Sequence, residues 1–232
     1  MSRGRFIVVE GAEGVGKSTQ TARLAAFLRS RGITAELLRE PGGTAVGEGI
    51  RGLVLASGEA IPRETELLLI VAARAAFVRQ RVEPALSEGT WVVSDRYDLS
   101  TFAYQGHGRG IELDWIEQVN RYATAGLTPD LYLVLDLPVR DGMTRLERKD
   151  RPLDRIESET LGFLRKVRRG YVELAGSVAC AELVSARGSP DEVEARIRDV
   201  VTGYFPGTFS ACGSGGAGSR SGEPERGAKE TR

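Results

Sequence analysis

The stretch Phe6-Ile-Val-Val-Glu-Gly-Ala-Glu-Gly-Val-Gly-Lys-Ser-Thr19 decides the architecture of this 232-residue chain. It opens on a continuous apolar run, Phe6 to Val9, of the kind that forms a parallel strand buried on both faces. The run breaks at Gly11. From Lys17 to Arg31 the spacing turns helical, with Leu24, Ala25, Phe27 and Leu28 on one face and Gly32 just past the end. Between the two, Gly11, Ala12, Glu13, Gly14, Val15, Gly16, Lys17, Ser18 and Thr19 satisfy GxxxxGK[ST] in the strand–loop–helix context the pattern requires. Glycines let successive backbone N–H groups turn inward around a polyphosphate, and the helix N-terminus adds positive potential. Lys17 is then placed to reach the β- and γ-phosphates of a nucleoside triphosphate, and the Ser18 hydroxyl to hold Mg²⁺. The loop alone does not say what is done with that nucleotide.

Working outward, the same alternation repeats. Thr34–Arg39, Trp91–Asp95, Leu131–Leu137 and the weaker Ala181–Ser185 read as further strands. Helical spacing occupies Val46–Leu55, a long stretch from Arg63 to Leu86, Asp114–Thr124, Val139–Arg148, Ser158–Ala175 and Pro190–Tyr204. Such alternation predicts parallel strands joined by right-handed crossovers. The expected fold is a three-layer α/β P-loop NTPase fold. Its parallel five-stranded sheet has helices on both faces, with ligands at the carboxyl ends of the strands. Residues 1–206 form one domain. From Gly207 to Arg232 seven of 26 residues are glycine and almost none is apolar, so a disordered Gly/Ser-rich tail is expected there.

Lysine plus arginine and aspartate plus glutamate number 32 each, so no global basic field argues for nucleic acid or an anionic membrane. Cys180 and Cys212 stand far apart and suggest neither a disulfide nor a zinc site, which fits a reducing compartment. The N-terminal apolar run is too short for a signal peptide or a membrane span. A soluble cytoplasmic protein is expected, with its charge used locally.

That local charge is arginine. Arg39, Arg51, Arg74 and Arg96, with a cluster at Arg145, Arg148, Lys149, Arg151 and Arg155, suggest a second anionic ligand beside the triphosphate. The Asn-Lys-x-Asp signature of guanine selection is missing. Arg39-Glu-Pro-Gly-Gly-Thr44, Asp95-Arg-Tyr97, Ser100-Thr-Phe-Ala-Tyr-Gln-Gly106 and Leu153-Asp-Arg-Ile-Glu157 carry a resemblance. In that order and spacing they resemble the thymidylate kinase family, from about Arg5 to about Tyr204. The resemblance implies a homodimeric enzyme that moves the γ-phosphoryl group of ATP to dTMP with Mg²⁺, in dTTP biosynthesis, without nucleic-acid or membrane partners. The alternatives are a related kinase for another nucleoside or nucleoside monophosphate, or a non-catalytic nucleotide-binding switch. Transfer to a phosphate needs placement and charge neutralisation rather than a general base. The lone His107 therefore reads as a solvated loop residue.

Several roles follow from the resemblance, residue by residue. Arg96 matches the arginine that clamps the acceptor phosphate, and Asp95 an acidic residue near Mg²⁺. Arg51 matches a second phosphate-binding arginine, Glu40 a carboxylate near the acceptor, and Glu13 an acidic position near the acceptor sugar and phosphate. Thr101, Tyr104 and Gln105 match the lining of the base and sugar pocket. Ser100 fits either ligand contact or a helix N-cap. Residues 145–155 match the lid. Gly14 stands where some members carry a catalytic arginine, so the lid is expected to supply it from Arg148 or Arg151, with Lys149 third. Arg187, after the fifth strand, is a candidate to stack on adenine.

The last feature is Leu67-Leu-Leu-Ile-Val-Ala-Ala-Arg-Ala-Ala-Phe77, an apolar helix carrying Arg74. Ile70, Arg74, Phe77 and Arg81 share one helical face. The resemblance makes Arg74 the donor to the thymine carbonyl edge. It also makes Ile70 a departure, because the family usually carries phenylalanine there to stack on the base. Either Phe77 or Phe102 restores the aromatic wall, or thymidylate binds more weakly.

Overall fold

The computed structural model describes residues 2–56, 60–148 and 152–210. The apolar run that opens the chain forms β1 (Phe6–Glu10), buried at every position. It is joined by β2 (Ala35–Arg39), β3 (Trp91–Asp95), β4 (Leu131–Asp136) and β5 (Ala181–Ser185) in one sheet of order β2-β3-β1-β4-β5. Every neighbouring pair is parallel, and Ile7 of β1 lies opposite Val93 on one side and Leu131 on the other. Burial follows position: the inner strands are almost fully buried, whereas β2 and β5 keep exposed residues. This is the continuous hydrophobic character that a doubly covered parallel strand requires.

The helices among the described residues are α1 (Lys17–Ser30), α2 (Ala45–Leu55), α3 (Arg63–Phe77), α4 (Glu83–Ser87) and α5 (Asp98–Thr101), followed by α6 (Leu113–Thr124), α7 (Val139–Glu147), α8 (Leu161–Ser177), α9 (Pro190–Tyr204) and α10 (Pro206–Ser210). α1 packs on α9 and on the strands β1 to β3, while α8 covers β4 and β5, giving the expected three layers. The long helix expected from Arg63 to Leu86 is present as α3 and α4, joined by wider turns over Val78–Val82. Pro84 stands just past the widening and has no N–H to bond back into the preceding turn.

Two features differ from expectation. α5 runs on through wide turns over Phe102–Gly108, a helix that spacing did not predict. Gly106 and Gly108 are poor helix formers, and here packing selects them. A Cβ at Gly106 would lie 2.5 Å from Leu113 Cδ2, and one at Gly108 2.7 Å from the Phe163 ring on α8. His107 sits in this segment, half-buried, with Nδ1 3.5 Å from Glu173, rather than in a solvated loop. The chain also stays ordered past Pro206, because α10 stacks Phe209 on Phe27 of α1 at 5.8 Å. A short helix therefore stands at the start of the segment expected as a tail; residues 211–232 lie outside those described.

Candidate active site

β1 and β3 end side by side, and the loop after each turns into one cavity of about 500 Å³. In the first loop Gly11, Gly14 and Gly16 adopt φ of 139°, 73° and 100°, the left-handed region an inward-turned amide loop uses. Position 14 has a second constraint. A Cβ on Gly14 would lie 2.1 Å from Gly142 O of α7, and a Cβ on Gly142 2.5 Å from Glu13 O. Loop and α7 meet backbone to backbone, so an arginine cannot stand at position 14 in this arrangement.

Lys17 opens α1 and is buried, donating from Nζ to Gly11 O at 3.0 Å and Ala12 O at 2.7 Å. Burial, with the Arg96 charge, lowers its pKa to about 8 against the pull of Glu13, Asp95 and Glu10. Ser18 Oγ donates to Asp95 Oδ2 at 2.7 Å, which sets a hydroxyl and a carboxylate together on the cavity wall. Two hard oxygen donors of this kind suit Mg²⁺, which usually keeps water and phosphate as its remaining ligands. Ser18, Thr19 and the glycines at 14 and 16 line the cavity with them.

Arg96 is the centre of the site. It follows β3 with φ 74°, a left-handed conformation rare for a side-chain-bearing residue. Its own N–H bonds Val9 O at 3.0 Å, and Ser94 Oγ bonds its carbonyl at 2.8 Å. Nη2 donates to Glu13 Oε1 at 2.6 Å and Tyr104 OH at 3.1 Å; Nη1 donates to Gly11 O, Ser100 Oγ and Tyr171 OH. Burial alone would raise the Glu13 carboxyl, but Arg96 and Lys17 outweigh it and hold it at about 2. Strain of this kind persists only where the surroundings over-determine it, and it marks functional turns.

Glu10 supplies that surrounding. It is fully buried at the end of β1 and accepts from Tyr97 N, Ser100 N, Ser100 Oγ and Tyr171 OH. Burial raises its pKa, opposed by Arg96 and these donors. Ser100 is thus a brace on Glu10 inside α5, not an N-cap. Glu10 went unremarked in the sequence, although a carboxylate closing an otherwise apolar strand is itself a signal.

The facing wall is built by α2, α3 and α5. Arg74 is 1 % exposed, so its place in an apolar helix is that of a donor. Nε lies 2.6 Å from Glu40, Nη1 donates to Thr101 Oγ1 and Asn120 Oδ1, and Nη2 to Tyr97 O. Burial lifts Glu40 to about 8 despite Arg74, while Glu40 and Asp98 keep the arginine charged. Arg51 donates to Pro41 O at 3.1 Å and lines the cavity, as do Glu40, Ile70, Thr101, Tyr104 and Gln105. Neither Phe77 nor Phe102 reaches it; Phe77 is buried in the core near Gly43, so the aromatic wall is not restored by them.

The proposed lid and adenine residues fare differently. Arg148 ends α7, exposed and away from the cavity lining. Lys149 and Arg151 lie outside the described residues. Arg187 does not enter the cavity: it is exposed in a separate arginine-rich groove, 3.8 Å from Asp141. Arg145 occupies the nucleotide end instead, donating to Val15 O, Ala186 O and Gly188 O. It spans the phosphate loop and the turn after β5, a relation no local spacing records.

A phosphate loop and a set of arginines facing it across one cavity define the class of the P-loop nucleoside monophosphate kinases, which are phosphotransferases. Comparison with known proteins narrows the class. A family model described as thymidylate kinase matches residues 9–197. Thymidylate kinase of Carboxydothermus hydrogenoformans is 42% identical over 201 residues, covering 87% of this chain and 98% of that protein. That of Pelotomaculum thermopropionicum is 51% identical over 176 residues, covering 75% and 81%. The crystal structure of thymidylate kinase from Ehrlichia chaffeensis superposes with a TM-score of 0.72 at 26% identity, covering 86% of this chain and 99% of that one. The chain belongs to the thymidylate kinase family.

Proposed function

We propose that this enzyme transfers the γ-phosphoryl group of ATP to dTMP, and that Arg96 carries the assignment. It is a strained arginine between the phosphate loop and the acceptor wall, its terminal nitrogens held by Gly11 O and Glu13. An oxygen of the acceptor phosphate forms the new bond to the γ-phosphorus. The bond from that phosphorus to the bridging oxygen breaks, and ADP leaves with the electron pair. Lys17 and the loop amides hold the donor phosphates, while Arg96 and Arg51 orient the acceptor phosphate. Glu13 fixes Arg96 in its charged form and in place. Ser18 and Asp95 are the residues to hold Mg²⁺, which when bound supplies charge neutralisation at the phosphate oxygens. Arg74 and Thr101 orient the base. Arg148 or Arg151 supplies the closing charge, as an arginine finger does within one chain.

The same reading makes the enzyme a cytoplasmic homodimer. Leu53 on α2 and Leu68 on α3 are 61% and 60% exposed on two helices that pack together, an apolar face that a second copy would cover. Among the described residues no helix is long and apolar enough to cross a membrane. The test mixes the protein with ATP, Mg²⁺ and a panel of nucleosides and monophosphates and follows ADP release. Turnover is expected with dTMP and to need Mg²⁺. Nucleotide binding without turnover on any acceptor overturns the proposal.

A further inference from the structure

Away from the reacting groups stands a buried carboxylate that the transfer does not use. Glu66, in the first turn of α3, is 1 % exposed. Oε1 accepts from Gln105 Nε2 at 2.7 Å and from Arg109 Nε at 3.2 Å. Oε2 accepts from Arg109 Nη2 at 3.2 Å and from Arg155 Nη2. Arg155 reaches further, donating from Nε to Val54 O of α2 at 2.8 Å. Arg109 is pinned in turn by Glu159 at 2.6 Å and lies over the Phe163 ring at 4.3 Å.

The partners of Glu66 belong to separate walls of the cavity. Gln105 is cavity lining on the wide-turned segment, and Val54 and Leu55 line it from α2. Asp154, Ile156 and Glu157 line it on either side of Arg155, in the segment returning from the expected lid. α3 itself carries Ile70 and Arg74 one and two turns beyond Glu66. Thus the wide-turned segment, α3 and the return segment converge on one carboxylate, with α2 joined to it through Arg155. A buried charge held by this many donors loses several bonds together when one wall shifts, so it transmits displacement instead of absorbing it.

We infer that Glu66 is a positioning residue, tying the acceptor wall to the segment returning from the lid through Arg155, so that dTMP and ATP bind interdependently. The inference rests on the acceptor and donor sides assigned above. Neither Glu66 nor Arg155 touches the reacting atoms; each acts through Gln105, α3 and the return segment.

Calorimetry tests it. The affinity of a non-hydrolysable ATP analogue is measured with and without saturating dTMP, for the unmodified chain, Glu66→Gln, Arg155→Gln and the double variant. The unmodified chain is expected to show a coupling factor on the order of tenfold, and the two single variants a factor near one. The double variant should add nothing further, since both changes break the same link. Glu64→Gln, an exposed change in the same turn, should keep the full factor. A folded Arg155→Gln with the unmodified coupling factor overturns the inference, even where Glu66→Gln fails to fold. An unmodified chain that binds both ligands without coupling overturns it as well. Failure of dTMP to bind the unmodified chain at all overturns the functional proposal itself.

Discussion

The two sides of the cavity are built by opposite means. The proposed donor side is backbone: three positive-φ glycines, three glycines (Gly11, Gly14 and Gly142) at which a Cβ would collide with a backbone carbonyl, and a lysine bonded to loop carbonyls. All but Gly142 come from one contiguous stretch of nine residues. The proposed acceptor side is side chain: Glu40, Arg51, Arg74, Arg96 and Thr101 arrive from five elements or loops, Arg74 held to Glu40 and Thr101, Arg96 to Glu13 and Arg51 to Pro41 O. A site made of backbone tolerates almost no added atom. A site made of paired charges fails when one partner is removed, because the other is left buried and unpaired.

Gly14→Arg should break the donor side outright. A side chain there meets both a positive φ, costing about 1–2 kcal/mol, and the Gly142 carbonyl. Loss of measurable ATP binding and a lowered Tm are expected. Gly16→Ala, where a Cβ meets nothing within 4 Å, isolates the conformational part and should lower Tm less. Equal effects of the two would show that the contact with α7 is unimportant.

Arg96→Ala breaks the acceptor side and strands the Glu13 charge. It is expected to destabilise by about 3–5 kcal/mol and to lower kcat/KM for dTMP by about 10²–10³. Adding Glu13→Gln should restore much of the stability and none of the activity. If the double variant is no more stable than Arg96→Ala alone, the pair does not carry the stability assigned to it.

Lys17 gives a smaller effect that separates the sides by pH. Its pKa is depressed to about 8 in the folded chain. From about pH 8 up to the ordinary lysine value the unfolded chain therefore binds the extra proton, and stability rises with pH. Phosphate binding favours the charged lysine, so ATP binding above about pH 8 should take up a proton and weaken as pH rises. Titration calorimetry in buffers of different ionisation enthalpy reads this; dTMP binding should show no such uptake from Lys17. A buffer-independent enthalpy for ATP would rule the lysine out as its source.

The smallest expected effect is at Ile70. Phenylalanine there adds an aromatic stack worth about 0.5–1.5 kcal/mol, so Ile70→Phe should tighten dTMP binding by a few-fold to about tenfold and leave ATP affinity alone. An unchanged or weaker dTMP affinity would mean that the pocket is already packed for isoleucine.

The donor side was legible from residues 6–19 because each of its requirements is local: a strand end, small residues and a helix start all fall within reach of a few backbone dihedrals. The inner strands β1, β3 and β4 were legible for a related reason, since burial on both faces leaves a nearly unbroken apolar run. The helix from Phe102 to Gly108 was not, because its glycines are chosen by Leu113 and Phe163 rather than by local preference. The placement of Arg145 in the nucleotide end and Arg187 outside it was hidden for the same cause.

By itself, then, the sequence determined the phosphate loop, the parallel sheet and the kinds of charged group the cavity needs. Which charges pair was decided only by the tertiary structure. Glu13 and Arg96 stand 83 residues apart and Glu66 and Arg155 stand 89 apart, yet each pair meets at hydrogen-bonding distance. The reason is one of range. Backbone conformation answers to near neighbours along the chain, whereas a buried charge answers to whatever the fold brings within about 4 Å.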